Sequence, residues 1–96
     1  MSEKIKIRPP AFAGSFYPGD ADTLQRTVDE LLESVPPIPL NGQVVSIIVP
    51  HAGYSYSGLT AAHAYAAIRN LSFDTVIAVG PSHREYFDGI SVYPGT

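Results

Sequence analysis

The 96-residue chain contains no cysteine. Disulfides and thiolate zinc sites built from this segment alone are therefore excluded. Positive charge is scarce. Six Lys and Arg are spread thinly against nine Asp and Glu, for a formal net charge of -3. Without a basic patch, nucleic acid is not expected as the main partner. No apolar run is long enough to span a membrane. The opening Met1-Ser2-Glu3-Lys4 is polar and leads into no signal-peptide apolar region, so a cytoplasmic location is expected. Several familiar chemistries are missing too. There is no G-x-G-x-x-G, no G-x-x-x-x-G-K-[ST] and no G-x-S-x-G. Ser82 and His83 are adjacent, which is poor geometry for a nucleophile and its base.

What is present is a folding composition. Hydrophobic residues make up 45% and charged residues 16%, which suits one small domain over residues 1–96. Nine prolines and eight glycines cluster into punctuation marks that cut the chain into short elements. Residues 5–19 read as an extended lead-in, stiffened at Pro9-Pro10. A helix then starts at the N-cap Asp20. Leu24, Val28, Leu31, Leu32 and Val35 form its apolar stripe, and Pro36-Pro37 stops it. Val44 to Val49 is β-branched almost throughout and suits a strand buried on both faces. A second helix is expected from about Gly58 to Arg69, capped by Ser57 and rich in alanine. Thr75 to Val79 is a second apolar strand, and Ile90 to Tyr93 a shorter one.

Strand, helix and strand of these lengths form a right-handed βαβ unit with parallel strands. The expected class is α/β: a mostly parallel sheet with flanking helices. Two or three strands do not complete such a sheet, which needs helices on both faces. The chain is therefore expected to be a truncated part of a larger α/β domain.

Ligands of open α/β sheets bind beyond the carboxyl ends of the strands. The first strand runs into Pro50-His51-Ala52-Gly53-Tyr54, the second into Gly80-Pro81-Ser82-His83-Arg84. Neighbouring strands lie about 4.8 Å apart. Two imidazoles could then converge on one metal ion, with bonds of about 2 Å. Spacing alone leaves ligand and bystander both open for His51 and His83. His63, inside the alanine-rich helix, reads as a packed or hydrogen-bonded structural histidine. A non-haem iron site adds a carboxylate. Glu85 and Asp88 are the local candidates, although solvation on a surface loop explains both.

Four stretches taken together point further. They are Arg8-Pro9-Pro10-Ala11-Phe12-Ala13-Gly14-Ser15-Phe16-Tyr17-Pro18, then Pro50 to Gly58 continuing into Ala61-Ala62-His63-Ala64-Tyr65, then Gly80-Pro81-Ser82-His83, and Phe87-Asp88-Gly89-Ile90. In this order and spacing they resemble the Memo family, whose bacterial and archaeal members are often called AmmeMemoRadiSam system protein B. The resemblance covers nearly the whole chain. It implies a fold similar to class III extradiol ring-cleaving dioxygenases, with a metal held between two histidines and a third ligand. It places the two amino-terminal ligands at His51 and His83. Ferrous iron is the metal it implies, with zinc and copper as alternatives. The third ligand would come from a carboxyl-terminal region of a longer chain, or from a partner protein. Tyr54 and Tyr56 share a loop with His51 and become pocket candidates with catalytic roles, set against a reading as structural tyrosines with bonded hydroxyls.

Two functions follow from the resemblance. One is a metal-dependent oxidoreductase acting on a small molecule. The other is a signalling module that holds a phosphotyrosine peptide in the same cleft without turnover, where Arg84 beside His83 could pair with the anionic group.

Overall fold

Asp20 opens the first helix, as its residue type predicts. In the computed structural model, which describes residues 4–96, α1 spans Ala21–Ser34. The Asp20 carboxylate accepts from the Thr23 amide at 2.9 Å and from the Thr23 hydroxyl at 2.8 Å. One otherwise orphaned helix donor is thereby satisfied. These bonds, the amide first, hold the Asp20 carboxyl below its ordinary range. At the far end Val35 turns extended (φ -82, ψ 123), as the residue before a proline must, and α1 stops.

The second helix departs from expectation at its start. α2 spans Tyr54–Ala66, with Gly53 and not Ser57 at the N-cap. The Ser57 hydroxyl points backwards and donates to the Ala52 carbonyl at 3.1 Å, while the Ser57 amide donates to Gly53 at 3.1 Å. Ser57 thus serves as a donor inside the first turn. Nothing between Tyr54 and Ser57 lacks an amide hydrogen, so the helix begins as soon as the loop glycine has passed. Beyond Ala66 the chain tightens into three-residue turns. Ala67 donates to Ala64, Ile68 to Tyr65, Arg69 to Ala66 and Leu71 to Ile68.

Backbone contacts divide the chain into two units. One is Ala11–Ser72, and the other is Phe73–Thr96 with residues 4–10. In the first, α1 packs on α2 through the small faces of the latter. Ala62 is 4% exposed and is the single buried hydrophobic residue among those described. Gly58 lets Leu31 approach so closely that a methyl group there would stand 3.3 Å from Leu31 Cδ1. Arg69 and Asp29 also pair, at 3.7 Å, both about two-fifths exposed.

The second unit is built from turns. Ser82 Oγ donates to the Glu85 carbonyl at 2.6 Å and accepts from the Glu85 amide at 3.3 Å. The Tyr86 hydroxyl donates to Asp88 Oδ1 at 3.2 Å. The Thr96 carbonyl accepts from the Arg8 amide at 2.6 Å, and the Thr96 amide donates to the Lys6 carbonyl at 2.7 Å.

Among the described residues the only β feature is one isolated bridge, Ala13 to Tyr17. Residues 44–49 and 75–79 make no backbone hydrogen bonds there. Val45 and Ile48 are 93% and 95% exposed, while Val44, Ile47 and Val49 are half-buried. No helix of the described residues is long and apolar enough to cross a membrane.

Candidate functional site

The site begins with a tight turn that the sequence places just before α1. Ser15 and Phe16 both donate to the Phe12 carbonyl, at 3.0 and 2.9 Å, and Gly14 donates to Tyr17 at 2.7 Å. Gly14 holds φ at +83, a region costly to any residue with a Cβ. The turn brings the rings of Phe12 and Phe16 into a stack with centroids 4.6 Å apart.

The loop carrying His51 is tied to this turn. The Tyr54 amide donates to the Phe16 carbonyl at 2.8 Å. Gly53 passes close to the same residue, with the Phe16 carbonyl 3.4 Å from where a Cβ would lie. The Tyr17 and Tyr54 rings meet at 5.9 Å, tilted by 39°. Two motifs more than thirty residues apart in sequence thus join in one aromatic corner.

Between that corner and the two helices lies an apolar cleft of about 550 Å³. Phe16, Tyr17, Leu31, Tyr54 and Tyr65 line it, and His51 stands at its exposed rim. Volume and lining suit a small-molecule site: mostly apolar walls with few polar groups. The residues with polar side chains along it include His51, Tyr54, Ser57 and Tyr65.

The structure separates the two tyrosine candidates. Tyr54 lines the cleft; Tyr56 is 88% exposed and does not. The earlier start of α2 is the reason. Residues two apart share a face in an extended loop, but about 200° of helical rotation divides them on a helix. The aromatic turn of Phe12 to Tyr17 had no assigned role in the sequence beyond the family resemblance. Its clustering of Phe, Phe and Tyr around a glycine is the signal that marks it.

His83 belongs to the other unit, in the exposed turn that Ser82 closes onto Glu85, with Arg84 next to it. Glu85 and Asp88 are exposed in the same segment. His63 behaves as a structural residue. Its Nδ1 lies 2.8 Å from the Leu59 carbonyl, which requires the proton on that nitrogen and binds the ring to its own helix.

Among the described residues, no three of His, Cys, Asp and Glu gather into a group able to hold a metal ion. A non-haem iron centre uses a third protein ligand beside two imidazoles.

Comparison with known proteins places the chain. The family model described as Memo-like protein matches residues 8–96. A MEMO1 family protein of Aquifex aeolicus is 40% identical, over 95% of this chain and 33% of its own length. One from Thermoplasma volcanium is 39% identical, over 92% and 32%, and one from Sulfurisphaera tokodaii is 39% identical, over 92% and 34%. The chain thus spans about a third of the length of the curated relatives it matches. No solved structure matches. With the match running from the aromatic turn through both histidine loops, this chain belongs to the Memo-like protein family.

Proposed function

We propose that this chain contributes the substrate cleft and two imidazole ligands, His51 and His83, to a metal-dependent oxidoreductase related to extradiol dioxygenases. The single observation that carries this reading is the placement of His51. It stands at the rim of an apolar, aromatic-lined cleft, on a loop tied by the Tyr54 amide to Phe16. Ferrous iron is the expected metal, with zinc and copper as alternatives, and a bound ferrous ion would supply dioxygen chemistry. The further ligand would come from the length that the relatives have beyond this segment, or from a partner.

The reading requires residues 44–49 and 75–79 to pair as neighbouring parallel strands in a mostly parallel α/β sheet. Their composition supports it. Val45, Ile48, Val76, Ile77 and Val79 are among the most exposed hydrophobic residues described, and a sheet covered by helices would bury them. Within the cleft this chain's own residues have definite work. Phe16, Tyr17 and Leu31 exclude water from an apolar ligand. Tyr54 lines it and takes the catalytic candidacy ahead of Tyr56. The setting proposed is cytoplasmic.

The second reading is a non-catalytic module for a phosphopeptide or another anionic ligand. Arg84 beside His83 favours it, because a guanidinium and an imidazole N–H both donate to phosphate.

Metal content separates the two. After dialysis against Fe2+ or Zn2+, the 96-residue chain is expected to retain little metal, since two imidazoles leave half of a tetrahedral shell to water. A chain extended with the downstream region of a relative is expected to retain one equivalent. His51→Ala and His83→Ala are each expected to abolish that gain. Equal weak retention by the extended chain and both variants would overturn the enzyme reading and leave the binding module.

A further inference from the structure

We propose that Asn41 is a site of spontaneous deamidation, in which the chain's own backbone is the reagent. Asn41 and Gly42 sit in an exposed bend between Pro39 and Val44. The reaction needs the Gly42 amide nitrogen to reach the Asn41 side-chain carbonyl carbon. Two features of the bend permit it, and a third limits substitution at Gly42. Gly42 has no Cβ to obstruct the approach, and the space a Cβ would fill holds no atom within 4 Å. Gly42 stands at φ +89, where a side chain would be strained. Neither its amide nor the Asn41 side chain is engaged in a hydrogen bond among the described residues.

The chain carries its own contrast. Asn70 precedes Leu71, whose side chain crowds the approach and whose amide already donates to Ile68 at 3.1 Å. That nitrogen is not available to attack.

The step balances without oxidant or reductant. The Gly42 nitrogen bonds to Asn41 Cγ, giving a succinimide ring. The Cγ–Nδ2 bond breaks, and ammonia leaves with the proton that the Gly42 nitrogen gives up. Water then opens the ring at either carbonyl, its hydroxyl going to carbon and its proton to nitrogen. One opening yields aspartate. The other yields isoaspartate, with one extra carbon in the main chain.

Either product matters at this position. From Val35 to Pro50 the chain has no charged residue, so the new carboxylate is the first charge in the approach to Val44–Val49. Isoaspartate also lengthens the backbone three residues ahead of Val44. A strand's side chains alternate with period two, and added length at its entry disturbs which of them face inward.

The test is peptide mapping by mass spectrometry on the intact 96-residue chain, aged at mildly alkaline pH, with an isoaspartyl methyltransferase to label the rearranged product. The peptide containing residue 41 is expected to gain the mass of NH2 replaced by OH and to split into two products, both absent from Asn41→Gln. Gly42→Ala, which restores a Cβ at the attacking residue, is expected to slow conversion by roughly tenfold or more. Asn70 is expected to stay intact over the same period. The free peptide Leu-Asn-Gly-Gln supplies the reference rate. An Asn41 that survives while the free peptide converts would overturn the proposal, as would Asn70 converting as fast as Asn41.

Discussion

Tyr54 donates its amide to the carbonyl of Phe16 at 2.8 Å, and this bond fixes the histidine loop to the aromatic turn. The same residue contributes its ring to the cleft. Tyr54 is therefore both a tether through its backbone and a wall through its side chain, and the two roles can be separated by substitution. Replacing the side chain leaves the amide bond intact.

Tyr54→Ala is expected to cost about 1–2 kcal/mol, from lost ring contact with Tyr17 and lost burial of a partly covered aromatic. Tyr56→Ala, at a position 88% exposed, is expected to stay within about 0.5 kcal/mol of the parent. Urea unfolding of both variants checks the pair. Equal losses would show that the two tyrosines share one environment, against the helix start at Tyr54.

Gly58 tests the packing of α1 on α2. Gly58→Ala gains up to about 1 kcal/mol of helix propensity. It must push Leu31 Cδ1 back by a few tenths of an ångström, which a flexible leucine tip allows. The expected result is a neutral or slightly stabilised protein. Gly58→Leu forces the helices apart and is expected to destabilise by about 1–3 kcal/mol. Thermal unfolding followed by far-ultraviolet circular dichroism reads both.

Asp20 gives a pH dependence. Its carboxyl is held below the ordinary value of 3.8, first by the Thr23 amide and then by the Thr23 hydroxyl. A lowered folded-state pKa means that the carboxylate stabilises α1 fully above that ordinary value. The contribution is lost as pH falls through the lower folded-state value. Helicity should therefore fall on acidification below 3.8 in the parent, and Asp20→Asn should flatten that part of the titration. A titration unchanged by Asp20→Asn would assign the acid loss elsewhere.

The helices were legible in the sequence because their signals are local. Asp20 followed by a stripe of Leu24, Val28, Leu31 and Leu32 needs no distant partner to be read, and neither does the stop at Pro36. Ser57, a good cap in general, suggests a start for α2 four residues too late. Whether a serine accepts at a helix end or donates backwards depends on the loop before it, here Ala52 and Gly53. The cleft was legible only in part. His51 and Tyr54 stand out by position, but Leu31 and Tyr65 reach the cleft through the packing of one helix on another, which no spacing within a single segment displays. Val44–Val49 and Thr75–Val79 read as strands from composition, and strand pairing is by nature non-local, resting on partners that a third of a family member's length need not contain.

The burial of Ala62, alone among the hydrophobic residues described, carries a calorimetric consequence. The heat-capacity change of unfolding tracks the apolar surface newly exposed to water, at about 12–15 cal/mol/K per residue for well-packed domains. A helix pair whose apolar stripe stays half-buried releases less such surface per residue than a well-packed domain. Its stability curve is expected to be correspondingly shallow, with a broad melt and a weak response to denaturant.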